Sequence, residues 1–413
     1  MTTTQTPVSA TPAIPDPPSP ARSETGEMLL ERARQLAPLI RKHAAESERD
    51  RRLARPVMDA LVKAGMQSLF APRSLGGFEL DPVSVARIVE EVARADSAAG
   101  WSLQSGNINV WWAARLSEAG MQEIYGSNPS TMVAAAFHPQ QRATEVPGGY
   151  RVTGRAPLAS MVNDCDWVLL STFVMEDGKP RMTEFGPFIV AVIIPRRDVE
   201  VLDTWHTLGM RGTDSNDVAV KDVFVPKDRT FVMSPQFEPG SHFRGSLYRY
   251  PAGTLVGLFG ASVLLAVARN AIDAFGDLAI NKVPMGSLKT VRDRGTVQAS
   301  FARAEANLRS ARLFFHETLG TAWAHVEAGQ QISMEERGDL LLACVHAAQT
   351  ASEVTEVMHR LAGTTGIYAV SPIERAFRDA HTLRHHAFVS ESKLESVGQI
   401  LLGLPPEFPL IVF

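Results

Sequence analysis

The sequence predicts an α+β protein in three parts: a helical N-terminal domain, a β-rich middle and a C-terminal helical bundle. Three observations carry this reading. From about Gly26 to Tyr125, and again from about Thr254 to the end, apolar residues recur at three- and four-residue intervals, the spacing of one helix face. Between these blocks the texture changes at Thr131. Five short runs (TMVAAAF, GGYRVTG, CDWVLLSTFV, FIVAVIIP and DVAVKDVFVP) are broken by Gly, Pro, Asp and Asn, which predicts a compact β-barrel or sandwich. At 413 residues and 45% hydrophobic content, the chain is long enough for two or three domains with sizeable cores. The boundaries fall at 1–25, 26–130, 131–240 and 241–413.

The first of these segments carries Pro7, Pro12, Pro15, Pro17, Pro18 and Pro20 among Thr and Ser, and is expected to be a disordered arm. It lacks the basic start and apolar centre of a signal peptide. Next, LLERARQLAPLIRKHAAESERDRRL and VMDALVKAGMQSLF read as helices, with Pro56 suited to the first turn of the second and Gly65 to its end. Gly76-Gly77 breaks the chain before the helical SVARIVEEVARADSAAGWSLQ. After the β-rich middle come four long helical pieces, of which the last is IERAFRDAHTLRHHAFVSESKLESVGQILL. Joined by short loops they predict an antiparallel four-helix bundle. The first piece, TLVGLFGASVLLAVARNAIDAFGDLAI, is apolar nearly all round, which predicts burial on several sides.

Composition narrows the function. A net charge of −4 gives no electrostatic case for nucleic acid or an anionic membrane as partner. No run of about 18 uninterrupted apolar residues suggests a membrane span. Cys165 and Cys344 make no disulfide framework or zinc motif, so a reduced, cytoplasmic setting is expected.

The stretch most charged with chemistry is WHTLGMRGTDSNDVAVKDVFVP, Trp205–Pro226. Gly209 and Gly212 flank Met210-Arg211 and allow a tight turn or close approach to a ligand. Beyond Asn216 the alternation of Val218, Val220, Val223 and Val225 breaks phase at Lys221-Asp222, which predicts a strand, a tight turn and a second strand. This stretch resembles the signature of the acyl-CoA dehydrogenase fold, in which W-x-x-L-G-M-R-G-T-x-S sits in the middle β domain beside the flavin. LGGFELD…ARADSAAGW resembles the helical N-terminal domain of the same family, and the likeness extends over roughly residues 26–400. It implies cofactor contacts from Trp205, Arg211 and Thr213, with the Arg211 guanidinium suited to a phosphate or a carboxylate. GGYRVTGRAPLASMVNDCDWVLLS resembles the family pattern whose Ser or Thr hydrogen-bonds the flavin near N5. Alignment on Gly154 puts Ser160 there, with Leu158 and Ala156 in place of the customary aromatic and Lys. On its residues alone Ser160 is equally a turn serine. Arg292 falls where the family binds flavin phosphate from the adjacent subunit, but the aromatic of that motif is replaced by Gly295, which favours a loosely held, diffusible flavin.

GTTGIYAVSPIERAFRDAHTLRHHAFVS decides the branch. The acyl-CoA dehydrogenase base is a Glu at the position of Ala387, and TLVGLFGASVLLAVAR offers no substitute. Abstraction of a proton α to a carbonyl needs such a base. With His386 beside that position, the segment instead resembles the two-component flavin-dependent monooxygenases of this fold, of the p-hydroxyphenylacetate hydroxylase and dibenzothiophene monooxygenase kind. These take reduced flavin (FMNH2 or FADH2) from a separate flavin reductase and use O2 to form a C4a-hydroperoxyflavin, which oxygenates a small aromatic or heteroatom-containing substrate. The resemblance further implies a homotetramer. A histidine near its ordinary pKa can accept a substrate proton or donate a hydrogen bond to the peroxide. His381 and His385, four apart, also have a metal spacing, but no Glu or Cys accompanies them; a purely structural role remains open for the whole cluster. Asn109, Trp112, His138 and His385 are candidates for the substrate pocket. Asn109 stands where phenol-hydroxylating relatives carry a second His, and Trp112 is equally a helix-core residue. Two other functions stay open: an acyl-CoA dehydrogenase-like or nitroalkane oxidase-like flavoenzyme, and a non-catalytic binding protein on the same fold.

Overall fold

The computed structural model describes residues 23–184 and 186–412. Most of the expected N-terminal arm therefore lies outside the described residues. Its last three residues do not continue it: Ser23 caps a helix, its hydroxyl accepting from the Gly26 amide, and Glu24 and Thr25 already belong to that helix.

Five helices come first: α1 (Glu24–Asp50), α2 (Arg55–Lys63), α3 (Pro82–Ala95), α4 (Ser97–Trp112) and α5 (Glu118–Tyr125). Asp96 separates α3 from α4 and caps the latter, accepting from the Ala98 amide with Oδ1. Buried on nearly every side, α4 lies against the β domain and the C-terminal helices at once.

The β-rich middle folds into β1 (Val133–Val146), β2 (Gly149–Ala159), β3 (Trp167–Glu176), β4 (Lys179–Pro180), β5 (Met182–Thr183), β6 (Gly186–Pro187), β7 (Ile189–Pro195), β8 (Glu200–Leu202), β9 (Asn216–Pro226) and β10 (Thr230–Val232). The main sheet runs β10-β7-β3-β1-β2-β9-β8, with β4 paired to β3 and β5-β6 a separate ribbon. Among the described residues only β1 and β3 pair in parallel. The expected barrel is thus corrected to an open sheet: among the described residues no pairing joins β10 to β8. β7 reads IVAVIIP because both its faces are covered. Ala191 and Ile193 enter the core shared with the helices, while Val190, Val192 and Ile194 enter the sheet's own core.

The expected strand–turn–strand over 216–226 is instead one strand. Its phase break is a bulge opposite β2, between the Val152 and Gly154 pairings, where Asp222 takes φ 53°. A bulge moves side chains to the other face without reversing the chain, so the sequence pattern of the two is the same.

Three long helices follow, α6 (Ala252–Asn281), α7 (Gly295–Glu327) and α8 (Met334–Ala362), then two short ones, α9 (Pro372–Leu383) and α10 (Leu394–Leu401). The fourth long helix of the expected bundle is therefore two, parted by an irregular turn at Arg384–Ser390. α6 is the one helix among the described residues long and apolar enough to cross a membrane, yet 94% of its apolar window is buried, as suits a core helix packed on α3, α4, α8 and α9.

Candidate functional site

The site is built where α4, the 205–216 loop, the end of β2 and the turn after α9 meet. The 205–216 loop is held from below by α9. Asp379 Oδ1 accepts from the Met210 amide at 2.6 Å and its Oδ2 accepts from the Ser97 hydroxyl, while Arg378 donates to the Leu208 carbonyl at 2.9 Å. Gly209 makes this docking possible: a Cβ there would lie 2.4 Å from the Arg378 carbonyl. The two glycines do not turn the loop themselves. Positive φ falls on Met210 (54°) and Asp214 (50°), held by the hydrogen bonds around them.

From Met210 a chain of polar contacts runs to the centre of the site. The Met210 carbonyl accepts from Trp205 Nε1 at 3.0 Å and from the Thr213 hydroxyl at 2.9 Å. Thr213 Oγ1 lies 2.7 Å from Ser215 Oγ, Ser215 Oγ lies 2.8 Å from Ser160 Oγ, and Ser160 Oγ accepts from Trp101 Nε1 at 2.9 Å. The Trp101 indole meets the His386 imidazole edge to face, ring centres 4.9 Å apart. The Met161 amide, next to Ser160, donates to the Thr213 carbonyl at 2.8 Å, which locks the end of β2 onto the loop.

His386 sits in the turn after α9, not on a helix. Its amide donates to the Leu383 carbonyl at 2.9 Å and its carbonyl accepts from Val389 and Ser390, each at 3.0 Å. Part of its surface stays accessible, but the protein around it disfavours the charged form and pushes its pKa down to about 4. The expectation of a histidine poised near its ordinary pKa is thereby corrected: His386 is neutral at neutral pH. The Phe388 amide approaches Nδ1 at 3.5 Å, a long contact, and Nε2 has no protein partner among the described residues. The turn lies close over α6: a Cβ on Gly260 would stand 3.2 Å from Val389 Cγ1 and 3.9 Å from Trp101 Cζ3.

Of the residues singled out from the sequence, the structure thus brings together Ser160, Thr213, Trp205 and His386. The rest lie apart from this chain of contacts. Arg211 is exposed, donating to the Thr207 carbonyl at 2.9 Å with Glu48 3.9 Å away. Arg292 is exposed just before α7, its nearest acid Asp293 at 4.0 Å. His138 and His385 are exposed, the first on β1 where its pairing with β3 is interrupted between Ala136 and Gln141. Asn109 is buried and donates to the Val133 carbonyl at 2.6 Å, tying α4 to β1. Trp112 is buried between Trp111 and Phe137 with Arg115 over its ring. Helical spacing of His381 and His385 on one face is lost, because α9 ends at Leu383; among the described residues no group of three His, Cys, Asp or Glu could hold a metal. Three residues of the site went unread in the sequence: Trp101, Ser215 and Asp379. For Ser215 the family signature held the signal, since its last Ser falls there.

A polar cleft of about 380 Å³ opens on the other side of the loop, lined by Arg51, Arg52, Arg196, Asp203 and Asp214 among others. Its cations are already spent: Arg51 pairs with Asp203, Arg52 with Asp164, and Arg196 donates to the Val162 and Val199 carbonyls. It offers no free anion site.

A helical–sheet–helical architecture carrying a hydroxyl and a neutral imidazole on either side of an indole, with no carboxylate at Ala387, defines a flavoenzyme fold without the dehydrogenase base. Comparison with known proteins agrees. Residues 23–124 match the family described as acyl-CoA dehydrogenase, N-terminal domain, and residues 258–391 the family described as acyl-CoA dehydrogenase, C-terminal domain. The chain is 33% identical to an indole-3-acetate monooxygenase of Pseudomonas putida, over 89% of this chain and 91% of that one. It is 28% identical to the flavin-dependent monooxygenase oxygenase subunit HsaA of Rhodococcus jostii, over 87% and 94%. The crystal structure of a 3-HSA hydroxylase from Rhodococcus sp. RHA1 superposes with a TM-score of 0.85 at 27% identity, over 92% and 98%. The chain belongs to the acyl-CoA dehydrogenase family, in its branch of flavin-dependent monooxygenases.

Proposed function

We propose that this protein is the oxygenase component of a two-component monooxygenase, taking reduced flavin from a separate reductase and inserting one atom of O2 into a small aromatic substrate. The observation that carries the reading is the placement of Ser160 and His386 on one indole, Trp101, with Ala387 next in the chain at the position that holds the carboxylate in the dehydrogenase pattern. The residues present fit a flavin. Ser160 Oγ has two protein partners and is itself only partly buried, and Leu158, two residues before it on β2, is 57% exposed. Reduced flavin, when bound, supplies the two electrons that activate O2; the protein holds, orients and dries the site.

In this reading Ser160, Thr213 and Trp205 form the cradle for the flavin ring. Ser160 touches it, while Thr213 and Trp205 act through the Met210 carbonyl. Being neutral, His386 carries one ring proton, and the Phe388 amide near Nδ1 favours placing it on Nε2, the nitrogen left without a protein partner. It therefore donates a hydrogen bond into the site and does not compete for a charge. Trp101 and Phe388 supply aromatic walls for a planar substrate. The similarity to an indole-3-acetate monooxygenase points to indoles as the first compounds to try. Arg292 would serve the flavin phosphate from an adjacent subunit, in a homotetramer. Support for assembly comes from apolar side chains left bare at one end of the helical bundle: Met285 and Leu288 fully, Ile367, Tyr368 and Val370 largely. The two cysteines, both free, suit a reducing cytoplasm.

The test is a single turnover with chemically reduced FMN or FAD, O2 and indole-3-acetate, reading oxygenated product against released H2O2. His386→Ala should bind flavin as the parent does, yet lose product and release H2O2 in its place. An unchanged product yield would remove His386 from the reaction.

A further inference from the structure

Ser160 is one link in a row of three hydroxyls whose two ends are fixed. At one end stands the Met210 carbonyl, which can only accept; at the other stands the Trp101 indole N–H, which can only donate. Thr213 Oγ1, 2.9 Å from that carbonyl, must give it a proton, because two oxygens at that distance with no hydrogen between them would set lone pair against lone pair. Its single proton thus spent, Thr213 can only accept from Ser215 at 2.7 Å. Ser215, its proton spent in turn, can only accept from Ser160 at 2.8 Å. Ser160 therefore gives its proton away from the cofactor, receives one from Trp101, and has a lone pair left to offer. Thr213 and Ser215 are buried, so no water is at hand to reverse the row.

This direction matters because the two redox states of a flavin differ at N5. Reduced flavin carries a hydrogen there and donates; oxidised flavin carries a lone pair and accepts. Resting on the proposed function and on the resemblance that sets Ser160 near flavin N5, we propose that Ser215 is a positioning residue that decides which redox state of the flavin Ser160 favours. It holds the Ser160 proton away from the cofactor, so that the site takes reduced flavin in preference to oxidised. The preference suits an enzyme that must collect a diffusible reduced cofactor and let the oxidised one go.

The experiment is binding, not turnover. Dissociation constants for FMN and FADH2's oxidised form FAD are measured aerobically, and those for FMNH2 and FADH2 under anaerobic conditions, on the intact wild-type chain and on Ser215→Ala and Ser215→Thr. The wild type should bind the reduced form more tightly. In Ser215→Ala the Ser160 proton is released to face N5, and the oxidised-to-reduced ratio of dissociation constants should fall about ten-fold, the worth of one hydrogen bond. Ser215→Thr keeps the hydroxyl and should keep the ratio. A loss of packing alone would weaken both forms together and leave the ratio where it was. An unchanged ratio in Ser215→Ala, with both forms bound, overturns the proposal. If that variant does not fold by circular dichroism, Thr213→Val frees the same proton one link earlier and its ratio decides in the same way. Equal binding of both forms by the wild type overturns this inference and leaves the monooxygenase reading standing; binding of neither overturns both.

Discussion

His386 shows what a residue gains from its place in the fold. A histidine in water titrates near neutrality, but here burial holds the pKa down to about 4. The sign of the consequence is definite. A histidine whose folded pKa lies below its unfolded value costs stability as pH falls, because the unfolded chain takes up the proton first. The loss opens below about pH 6.5, the ordinary value, and grows until the folded group titrates near 4. Urea unfolding at pH 7 and pH 5 should therefore show a smaller loss in His386→Asn than in the wild type. Equal losses would mean that His386 is not held neutral. Between pH 6 and 8 the oxygenation step should carry no histidine titration from this group. The identity of the residue was legible in the sequence, because the family's Glu position is Ala387 with His386 beside it. Its charge state was not, because burial comes from α4 and α6, far away in the chain. Ser215 illustrates the same divide: its presence in TDSN is plain, whereas the direction of its proton depends on how its own loop folds the Met210 carbonyl back onto Thr213 and on Ser160 and the Trp101 indole, brought in from the end of β2 and from α4.

At the scale of elements, the signature loop works because α9 comes within contact of its backbone. Of the two roles expected of Gly209, a tight turn or a close approach to a ligand, it takes neither as such: it carries no positive φ, and what approaches it closely is the backbone of α9. A Cβ 2.4 Å from the Arg378 carbonyl cannot be relieved by a side-chain rotation, since both partners are backbone. Gly209→Ala should therefore lower stability by about 1–3 kcal/mol, the range of an overpacked core, and weaken binding of reduced flavin along with it. Denaturant melts and a flavin titration check the pair; a variant as stable as the parent would mean the loop and α9 can part without harm. Helical periods located the amphipathic helices such as α3 and α9, whereas α4 and α6, apolar on nearly every side, carry little period, and the break between α3 and α4 at Asp96 was not marked. The end of α9 escaped notice because LRHHAFVS contains no Gly or Pro to mark it. Without that end, His385 and His386 would sit on a helix face instead of in a turn. The bulge in β9 escaped for the opposite reason: it writes a turn-like phase break into a strand that does not turn.

Across the whole molecule, one buried ionic network fastens the N-terminal helices to the turn that bears His386. Arg375 on α9 meets Asp96, the cap of α4, at 2.6 Å, with Glu48 of α1 and Asp379 each 3.6 Å away. Arg378 meets Glu48 and Glu374, each at 2.6 Å. Nothing in the sequence reveals the long-range pairings, because Asp96 and Arg375 lie 279 residues apart and Glu48 is farther still from both arginines. The three-part fold was nonetheless readable, since each part is built from its own local period. Asp96 is buried, and burial without its partner would favour the neutral acid; its pKa is already raised, by desolvation first, despite Arg375. Removing the arginine alone should therefore cost more than removing the pair. Arg375→Met should lose about 3–5 kcal/mol, the usual result of stranding a buried charge. Arg375→Met combined with Asp96→Asn should recover a good part of it, because Asn still caps α4 while leaving no charge behind. Unfolding measurements on the two singles and the double close the cycle. A double variant no more stable than Arg375→Met would mean that Asp96 is not what the arginine neutralises, and that α9 is held to the N-terminal helices by Glu48 instead.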